Sequence, residues 1–489
     1  MVTGSLWMLL FNAGNRGLGL ISTMILARIL VPEDYGLVAM SMSIYALLEI
    51  MAAFGFDVVL IQKRDVVRDD YDSAWSVRLV CYSILAAGFY FSAATAAAFY
   101  ADDRLKAIIQ VLAFAMLLSG FENIRLVDFR KHLEFSKEFW YQLSVKLVGF
   151  SITVPLAFVL RNYWALVIGI LAMKVGALVL GYIYRPYMPR LCFDKAKEIF
   201  HFSKWLLLTN FLSFFVNNLP IFVLGKLSGS RAVGLYSIGS EIAQYSSAEV
   251  VAPINRAVFP GYAKLKNNLD ELRKSYLEVI GIQALIILPL GFGLSVTAEY
   301  VIQIILGGNW GDAVAPMRIL AIASALMALS SNSAYIYFVL EKPHLNFAVA
   351  LVKALILGPT LIVLTLYYGL MGAVSAYLIT YLITPFVHYW LINRFLGVGF
   401  KNIFATLYRP VLASLVMFGI LHMGFVQNLL ALLELAILKA LLMAVIGAAI
   451  YVGFILGLWN LSGRPNTAEA QAVGVFLKAK AKIFLLLKH

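Results

Sequence analysis

The first apolar stretch of the sequence carries a row of polar residues that could bind an anion. Asn12, Asn15, Arg16, Gly19 and Thr23 are spaced so that they share one face of an α-helix. A charge at the bilayer centre costs about 2.5–3.5 kcal/mol on insertion scales, so this face should line a polar cavity. Because the planar guanidinium group binds two phosphate oxygens at once, we predict a phosphate-binding site at Arg16. An Arg–Glu pair that only joins two helices is the alternative.

A similar stripe recurs in the seventh apolar stretch. A shift of 198 residues aligns Gly36 with Gly234, together with other matches in both halves. The polar residues of the second stripe then fall on equivalent positions of the first: Asn210, Ser213 and Asn217. Phe214 stands where a second arginine would be. The repeat predicts that both stripes face one cavity and that only the first stripe carries the arginine.

Further ionisable residues interrupt the apolar stretches. Glu49 in the second stretch, Lys146 in the fifth and Glu241 in the eighth each share a helix face with other polar residues. Glu249 and Arg256 lie further along the eighth stretch, turned away from the face of Glu241. Ionisable residues inside a membrane are candidates for ligand or ion contacts.

The composition requires a membrane protein. Of 489 residues, 62% are hydrophobic and 13% charged, and the mean hydropathy is +0.86, whereas soluble domains are about one-quarter charged. A soluble enzyme and a disordered chain are therefore excluded. Roughly 20–25 helical residues cross a bilayer, so the chain fits fourteen crossings without a separate catalytic domain. We predict an all-α polytopic protein with helices at 4–30, 35–61, 73–99, 105–125, 139–160, 163–184, 203–227, 233–263, 275–306, 313–340, 345–368, 371–393, 402–424 and 431–459.

The 39 Lys and Arg residues predict the orientation. Alternate loops and the C-terminal tail hold 24 of them, and the opposite loops hold six. By the positive-inside rule, both termini are cytoplasmic, and the net charge of +13 reflects topology and not nucleic-acid binding. We expect Arg78, Arg318 and Arg409 to reach the lipid headgroups, while Lys174 has no evident partner in the sequence. The nine cations placed inside the membrane are Arg16, Arg78, Lys146, Lys174, Arg256, Arg318, Lys353, Arg409 and Lys439.

The helices and the repeat divide the chain into five parts. We expect a six-helix lobe at 1–184, a cytoplasmic linker at 185–202, a second six-helix lobe at 203–393, two added transmembrane helices at 394–460 and a cytoplasmic tail at 461–489. Both lobes begin on the same side of the membrane, so they are parallel repeats, which are typical of transporters. Apolar residues at helical spacing alternate with lysines in the tail, which predicts an amphipathic helix on the anionic leaflet.

Ordered motifs along the chain resemble those of bacterial polysaccharide flippases. Residues 27–37, ARILVPEDYGL, are similar to the A-R-x-L-x-P-x-x-Y/F-G signature of that family. The motifs at 60–62, 74–75, 130–135 and 253–260 follow in the order of the family. The chain resembles the colanic and teichuronic acid exporter branch of the multidrug/oligosaccharidyl-lipid/polysaccharide superfamily over nearly its whole length.

The resemblance implies a V-shaped pair of six-helix lobes around a cationic cavity. The implied substrate is an oligosaccharide repeat on undecaprenyl pyrophosphate, which alternating access would move from the cytoplasmic to the outer leaflet for exopolysaccharide, capsule or O-antigen synthesis. The central cations of the family map onto Arg16 and, more weakly, onto Lys146 and Arg256. The polar stripes would contact the sugars. Three carboxylates are candidates for ion coupling: Glu49, Glu241 and Glu249.

The same resemblance implies a multi-pass protein of the bacterial cytoplasmic (inner) membrane. Its partners would be the lipid-linked oligosaccharide and membrane lipids, with a polysaccharide polymerase and the export machinery as further candidates. The last two helices are a candidate contact for the lipid tail.

Two other function classes remain open at this point. A multidrug antiporter of the same superfamily would bind organic cations through carboxylates at the cavity centre, which the excess of embedded cations argues against. A membrane glycosyltransferase or polymerase would carry a nucleotide-sugar domain or large outer loops, but the outer loops are mostly short and no P-loop or catalytic triad is visible. We expect no catalytic residue, no cofactor and no metal site, because Cys81 and Cys192 lack metal-ligand spacing.

Overall fold

A computed structural model describes the backbone of residues 2–52, 60–61, 63, 65–423, 426, 433–465, 467–471 and 473–474. The side chains of residues 2–13, 15–16, 196–210, 213 and 248–249 lie outside this description. Within it, all regular elements are helices, which confirms the predicted all-α fold class.

The first half of the chain forms long helices joined by short connections. A 3-10 turn at Ile124–Leu126 follows the fourth helix and bends the chain into a short fifth one. The helices are α1 (Val2–Ile29), α2 (Pro32–Ala52), α3 (Arg68–Tyr100), α4 (Arg104–Gly120), α5 (Val127–Lys131), α6 (Phe135–Leu160) and α7 (Trp164–Tyr184).

The second half continues this pattern. A 3-10 segment at Gly308–Ala313 precedes the fourth of its helices. The helices are α8 (Ala196–Tyr245), α9 (Ala248–Lys264), α10 (Leu269–Ile305), α11 (Val314–Ser330), α12 (Ser333–Val339), α13 (His344–Leu396), α14 (Phe400–Leu421) and α15 (Ala436–Leu461).

Two glycines divide the longest helices. Gly229 in α8 has φ +79° and Gly369 in α13 has φ +55°, a conformation that only glycine adopts at little cost. The described helices correspond to the fourteen predicted crossings when α8 and α13 are each divided at these glycines. Three crossings then consist of two helices each: α4 with α5, the second part of α8 with α9, and α11 with α12. Among the described residues, nine helical segments are long and apolar enough to cross a membrane, if α11, α12 and the 3-10 segment before them are counted as one.

The chain folds into two compact units. The first comprises residues 1–237 and 305–309, and the second comprises 238–304 and 310–489. The predicted lobe boundaries at 185–202 and 393 stay a prediction. In the first unit α6 and α7 cross closely, because a Cβ atom on Gly169 would lie 1.8 Å from Thr153 Oγ1.

The core of the second unit is rich in tyrosine. Tyr262, Tyr276 and Tyr337 are fully buried in a cluster with aliphatic residues of α10, α13 and α14. Their hydroxyl groups are hydrogen-bonded, as buried polar groups must be: Tyr276 to Ser333 Oγ at 2.9 Å and Tyr262 to Asn332 Nδ2 at 2.7 Å. These bonds hold the break between α11 and α12 against the core.

Candidate functional site

The predicted anion site lies where α1 faces α6 in the first unit. A Cβ atom on Gly19 would lie 3.7 Å from Lys146 Nζ, and one on Gly14 would lie 3.9 Å from the ring of Phe139. Gly19 shares a helix face with the other members of the first stripe. The structure therefore places the ammonium group of Lys146 against the face of α1 that the sequence predicts to be polar.

Several predicted site residues have side chains outside the described residues, although their helices are described. These are Asn12, Asn15 and Arg16 in α1, Asn210 and Ser213 in α8, and Glu249 in α9.

The other predicted site residues are accessible. Asn217 is exposed on α8 in the first unit, and Arg256 is exposed on α9 in the second unit. Glu241 is also exposed, and its Oε1 accepts a hydrogen bond from the Tyr245 hydroxyl at 3.2 Å.

A network of four charged side chains joins α2, α3 and α7 to the end of α4. Lys174 Nζ lies 3.4 Å from Glu49 Oε1 and 4.0 Å from Glu122 Oε1, and Arg78 donates to Glu122 Oε2 at 2.7 Å. Lys174 also lies 5.6 Å from the centre of the Tyr45 ring. Lys174 thus has two acidic partners, and Glu49 contacts one of the embedded cations.

The prediction that the side chains of Arg78 and Arg409 reach the lipid headgroups is wrong. Arg78 is directed to Glu122, and its side chain is only 16% exposed. Arg409 in the second unit is 3% exposed, and its Nη1 lies 3.3 Å from Oε1 of the equally buried Glu469. Both arginines lie close enough to the ends of their helices to reach the headgroups. Each nevertheless stays inside the protein, because a nearby carboxylate, Glu122 or Glu469, compensates its charge. Arg318 is 42% exposed and lies 3.6 Å from Glu299.

A polar cluster that the sequence did not indicate occupies the second unit. Gln283 is fully buried in α10 and donates to Asn255 Oδ1 at 2.7 Å, while Asn255 Nδ2 donates to Ser331 Oγ at 3.1 Å. On α9 the buried polar residue is therefore Asn255, next to the predicted Arg256. A glutamine inside the apolar α10 was the only available signal for this cluster.

An apolar groove of about 530 Å³ runs along the second unit. Its walls come from residues 285–297 of α10, Met417 and Leu421 of α14 and residues 443–452 of α15. These side chains are almost entirely apolar. Gly447 lets α15 approach α14, because a Cβ atom at this position would lie 3.1 Å from Leu421 Cδ1. The groove has the chemistry of a binding surface for a hydrocarbon chain.

Comparisons with known proteins agree with this architecture. Residues 25–315 match the family described as polysaccharide biosynthesis protein. The chain is 22% identical to the lipopolysaccharide biosynthesis protein WzxC of Escherichia coli (strain K12) over 423 residues, covering 85% of both chains. It is also 22% identical to the teichuronic acid biosynthesis protein TuaB of Bacillus subtilis (strain 168), covering 77% of this chain and 78% of TuaB.

The fold is similar to that of a solved flippase. The lipid II flippase MurJ, in an inward closed conformation, superimposes with a TM-score of 0.71 at 14% identity, over 94% of this chain and 99% of MurJ. At this identity the likeness concerns the fold alone.

Proposed function

This chain belongs to the polysaccharide biosynthesis protein family, and we propose that it flips a lipid-linked oligosaccharide across the bacterial inner membrane. It is an integral multi-pass membrane protein and a polysaccharide flippase of the multidrug/oligosaccharidyl-lipid/polysaccharide superfamily. The substrate would be an oligosaccharide repeat on undecaprenyl pyrophosphate, taken from the cytoplasmic to the outer leaflet by alternating access. The charge bias of the loops supports cytoplasmic termini.

The observation that carries the proposal is the position of Lys146 against the polar face of α1. A pyrophosphate group needs cations, and two of the embedded cations, Arg16 and Lys146, belong to α1 and α6, the two helices that meet here. Arg16 would bind phosphate oxygens through its planar fork, and Lys146 would add a point charge. Arg256 is a weaker candidate.

The sugars would contact the polar residues near this cationic site. Amide and hydroxyl groups exchange hydrogen bonds with sugar hydroxyls without adding charge. The candidates are Asn12, Asn15, Asn210, Ser213 and Asn217.

The hydrocarbon tail would bind in the apolar groove of α10, α14 and α15. Its low polarity suits an isoprenoid chain, and the proposal gives the last two helices a function outside the six-helix repeats. A polymerase and the export machinery are the proposed protein partners, since they would act on the product.

Ion coupling would use the network at Lys174. Glu49 is 40% exposed and shares Lys174 with Glu122, so a cation or proton at Glu49 would release Lys174 toward Glu122. Glu241 and Glu249 are the other candidates. An organic-cation antiporter would need free carboxylates at its cavity, whereas the carboxylates of this network are paired with cations.

A flipping assay tests the proposal. The purified protein is reconstituted in vesicles with a fluorescent oligosaccharide on polyprenyl pyrophosphate, and the initial rate is compared between the wild type, Arg16→Ala and Arg104→Ala. Arg104 is the control because it forms an exposed pair with Asp102, which contributes little. We expect the initial flipping rate to fall at least tenfold in Arg16→Ala and to stay unchanged in the Arg104→Ala control. An undiminished rate in Arg16→Ala would contradict the role of Arg16 in binding pyrophosphate. No flipping by the wild type would overturn the proposed flippase function.

A further inference from the structure

A second basic site lies at one end of the first unit, apart from the α1–α6 face. It is a pocket of about 770 Å³ between the start of α3 and the segment that follows α7. Arg68 Nη2 donates to the Met188 carbonyl at 3.1 Å, and the Arg190 amide donates to Asp72 Oδ1 at 3.0 Å. These bonds fix the two segments against each other, so the pocket between them has a defined shape.

Arginines outnumber carboxylates around the pocket. Arg68, Arg125 and Arg190 line it. The acidic groups beneath them are the buried Asp72 and Asp128. Asp72 pairs with Arg68 at 3.4 Å, and Asp128 is contacted by Arg185 at 2.9 Å and by Arg125 at 3.3 Å, so the four arginines are matched by only two carboxylates. Among the described residues, no carboxylate pairs with the Arg190 side chain. These residues therefore leave an excess of positive charge that an anion would compensate.

Two tyrosines hold one of these arginines in place. The Arg125 guanidinium lies 5.1 Å from the centre of the Tyr71 ring and 5.7 Å from that of Tyr187. Tyr71 donates to Asp128 Oδ1 at 2.5 Å, and Tyr187 donates to Asp72. Burial and the Asp72 carboxylate raise the pKa of Tyr187, so its phenol stays neutral and does not repel an anion.

The rim of the pocket is apolar and accessible. Met188 lines the pocket and is 84% exposed, and Leu191 (71% exposed) and Phe193 (52% exposed) follow in the same segment of the chain. The pocket adjoins the ends of two membrane-spanning helices, where lipid headgroups lie. A basic pocket with an exposed apolar rim suits a ligand that has both a phosphate and a hydrocarbon part.

We propose that this pocket binds the phosphate group of an anionic membrane lipid, in the leaflet that the charge bias assigns to the cytoplasm. Arg68 and Arg190 contact the phosphate oxygens, Arg125 supplies the third charge, and the apolar rim contacts the glycerol and acyl region. This site is independent of the proposed flipping, because none of the residues that line it belongs to α1 or α6.

Native mass spectrometry of the full-length protein in detergent tests the proposal. Phosphatidylglycerol and phosphatidylcholine are offered in turn to the wild type, to Arg190→Gln and to Arg68→Gln/Arg190→Gln. The control is Lys264→Gln/Lys401→Gln, which removes two charges from the second unit on the side that is also predicted to be cytoplasmic. Arg190→Gln is the cleaner variant for folding because its side chain pairs with no described carboxylate.

We expect the wild type to retain several-fold more phosphatidylglycerol than phosphatidylcholine, and the double arginine variant to lose this preference while the lysine control keeps it. Equal retention in the arginine variants and the wild type overturns the proposal, as does an equal loss in the lysine control. In a separate arm, inorganic pyrophosphate is added to delipidated protein. If it raises the melting temperature of the wild type but not that of Arg68→Gln/Arg190→Gln, while phosphatidylglycerol shows no preference, the ligand of this pocket is a soluble phosphate and the lipid assignment is wrong. Flipping is not needed for either readout, so failure of the flippase proposal remains distinguishable.

Discussion

Glu33 and Arg231 form an ion pair, with Oε1 and Nη1 2.8 Å apart, and they occupy equivalent positions of the 198-residue repeat. The aligned glycines contact each other as well. A Cβ atom on Gly36 would lie 3.0 Å from the Gly234 nitrogen, and one on Gly234 would lie 3.1 Å from the Gly36 nitrogen. Equivalent positions can meet reciprocally only near a local two-fold axis. The start of α2 and residues 230–234 of α8 therefore meet around such an axis within the first unit.

Gly36→Ala should destabilise the protein strongly. Its new Cβ would lie 1.8 Å from the Ser230 carbonyl oxygen, so backbone must move, and overpacking of this kind costs about 1–3 kcal/mol or more. We expect a clear drop in the melting temperature, measured by fluorescence-detected size exclusion after heating. The control is Gly88→Ala in α3, where nothing lies within 4 Å and alanine should favour the helix. Equal melting temperatures for the two variants would contradict the close contact.

A reducible cross-link between positions 33 and 231 should stop transport. In the proposed alternating-access cycle the contact around the two-fold axis opens, so holding it closed would block one half of the cycle. The double variant Glu33→Cys/Arg231→Cys is made in a background from which Cys81 and Cys192 have been removed. After treatment with a short bifunctional methanethiosulfonate reagent, we expect its flipping rate to fall at least tenfold. Thiol reduction should restore the rate. Each single cysteine variant should be unaffected by the reagent, and full activity of the cross-linked protein would show that this contact stays closed during transport.

The number of helices could be predicted because it depends on local patterns, whereas the contact of Lys146 with α1 joins residues that are distant in the sequence, and Lys146 became a candidate for the phosphate site only through the family resemblance. Hydropathy, charge alternation and helical spacing act over short stretches of chain. The backbone breaks at Gly229 and Gly369 were predicted for the same reason, since each lies in the gap between two predicted helices, 203–227 and 233–263 or 345–368 and 371–393.

The ion pairs could not be predicted, because their partners are distant in the sequence. Glu122 follows the end of α4 and meets Lys174 of α7 only after α4 has packed against α7. Arg409 illustrates the same limit: its depth indicated snorkelling, but Glu469 is 60 residues further along, in a segment whose lysines suggested a membrane surface. Ala468 and Glu469 are buried instead, and Ala468 packs on Gly281 of α10.

The Arg78–Glu122 pair should be energetically coupled. Both side chains are less than one-fifth exposed, and partners in one network show interaction energies of about 0.5–3 kcal/mol. A double-mutant cycle with Arg78→Gln and Glu122→Gln, followed by unfolding in denaturant, should give about 1–2 kcal/mol. The matched exposed pair is Lys137–Glu134 in the same unit, with side chains 55% and 34% exposed, which should give less than about 0.5 kcal/mol. Similar values for both cycles would show that burial does not strengthen the Arg78–Glu122 pair.

Glu469→Gln should loosen the tail from the second unit. It leaves the Arg409 guanidinium buried without its counter-charge, and breaking a buried pair costs about 3–5 kcal/mol. We expect a lower melting temperature and faster cleavage of the tail after residue 461 by protease. Arg409→Met/Glu469→Leu removes both charges and should recover most of the stability, because apolar side chains of similar size can replace such a pair. If the double variant is as unstable as Glu469→Gln, the tail is held by packing at Gly281 and not by the ion pair.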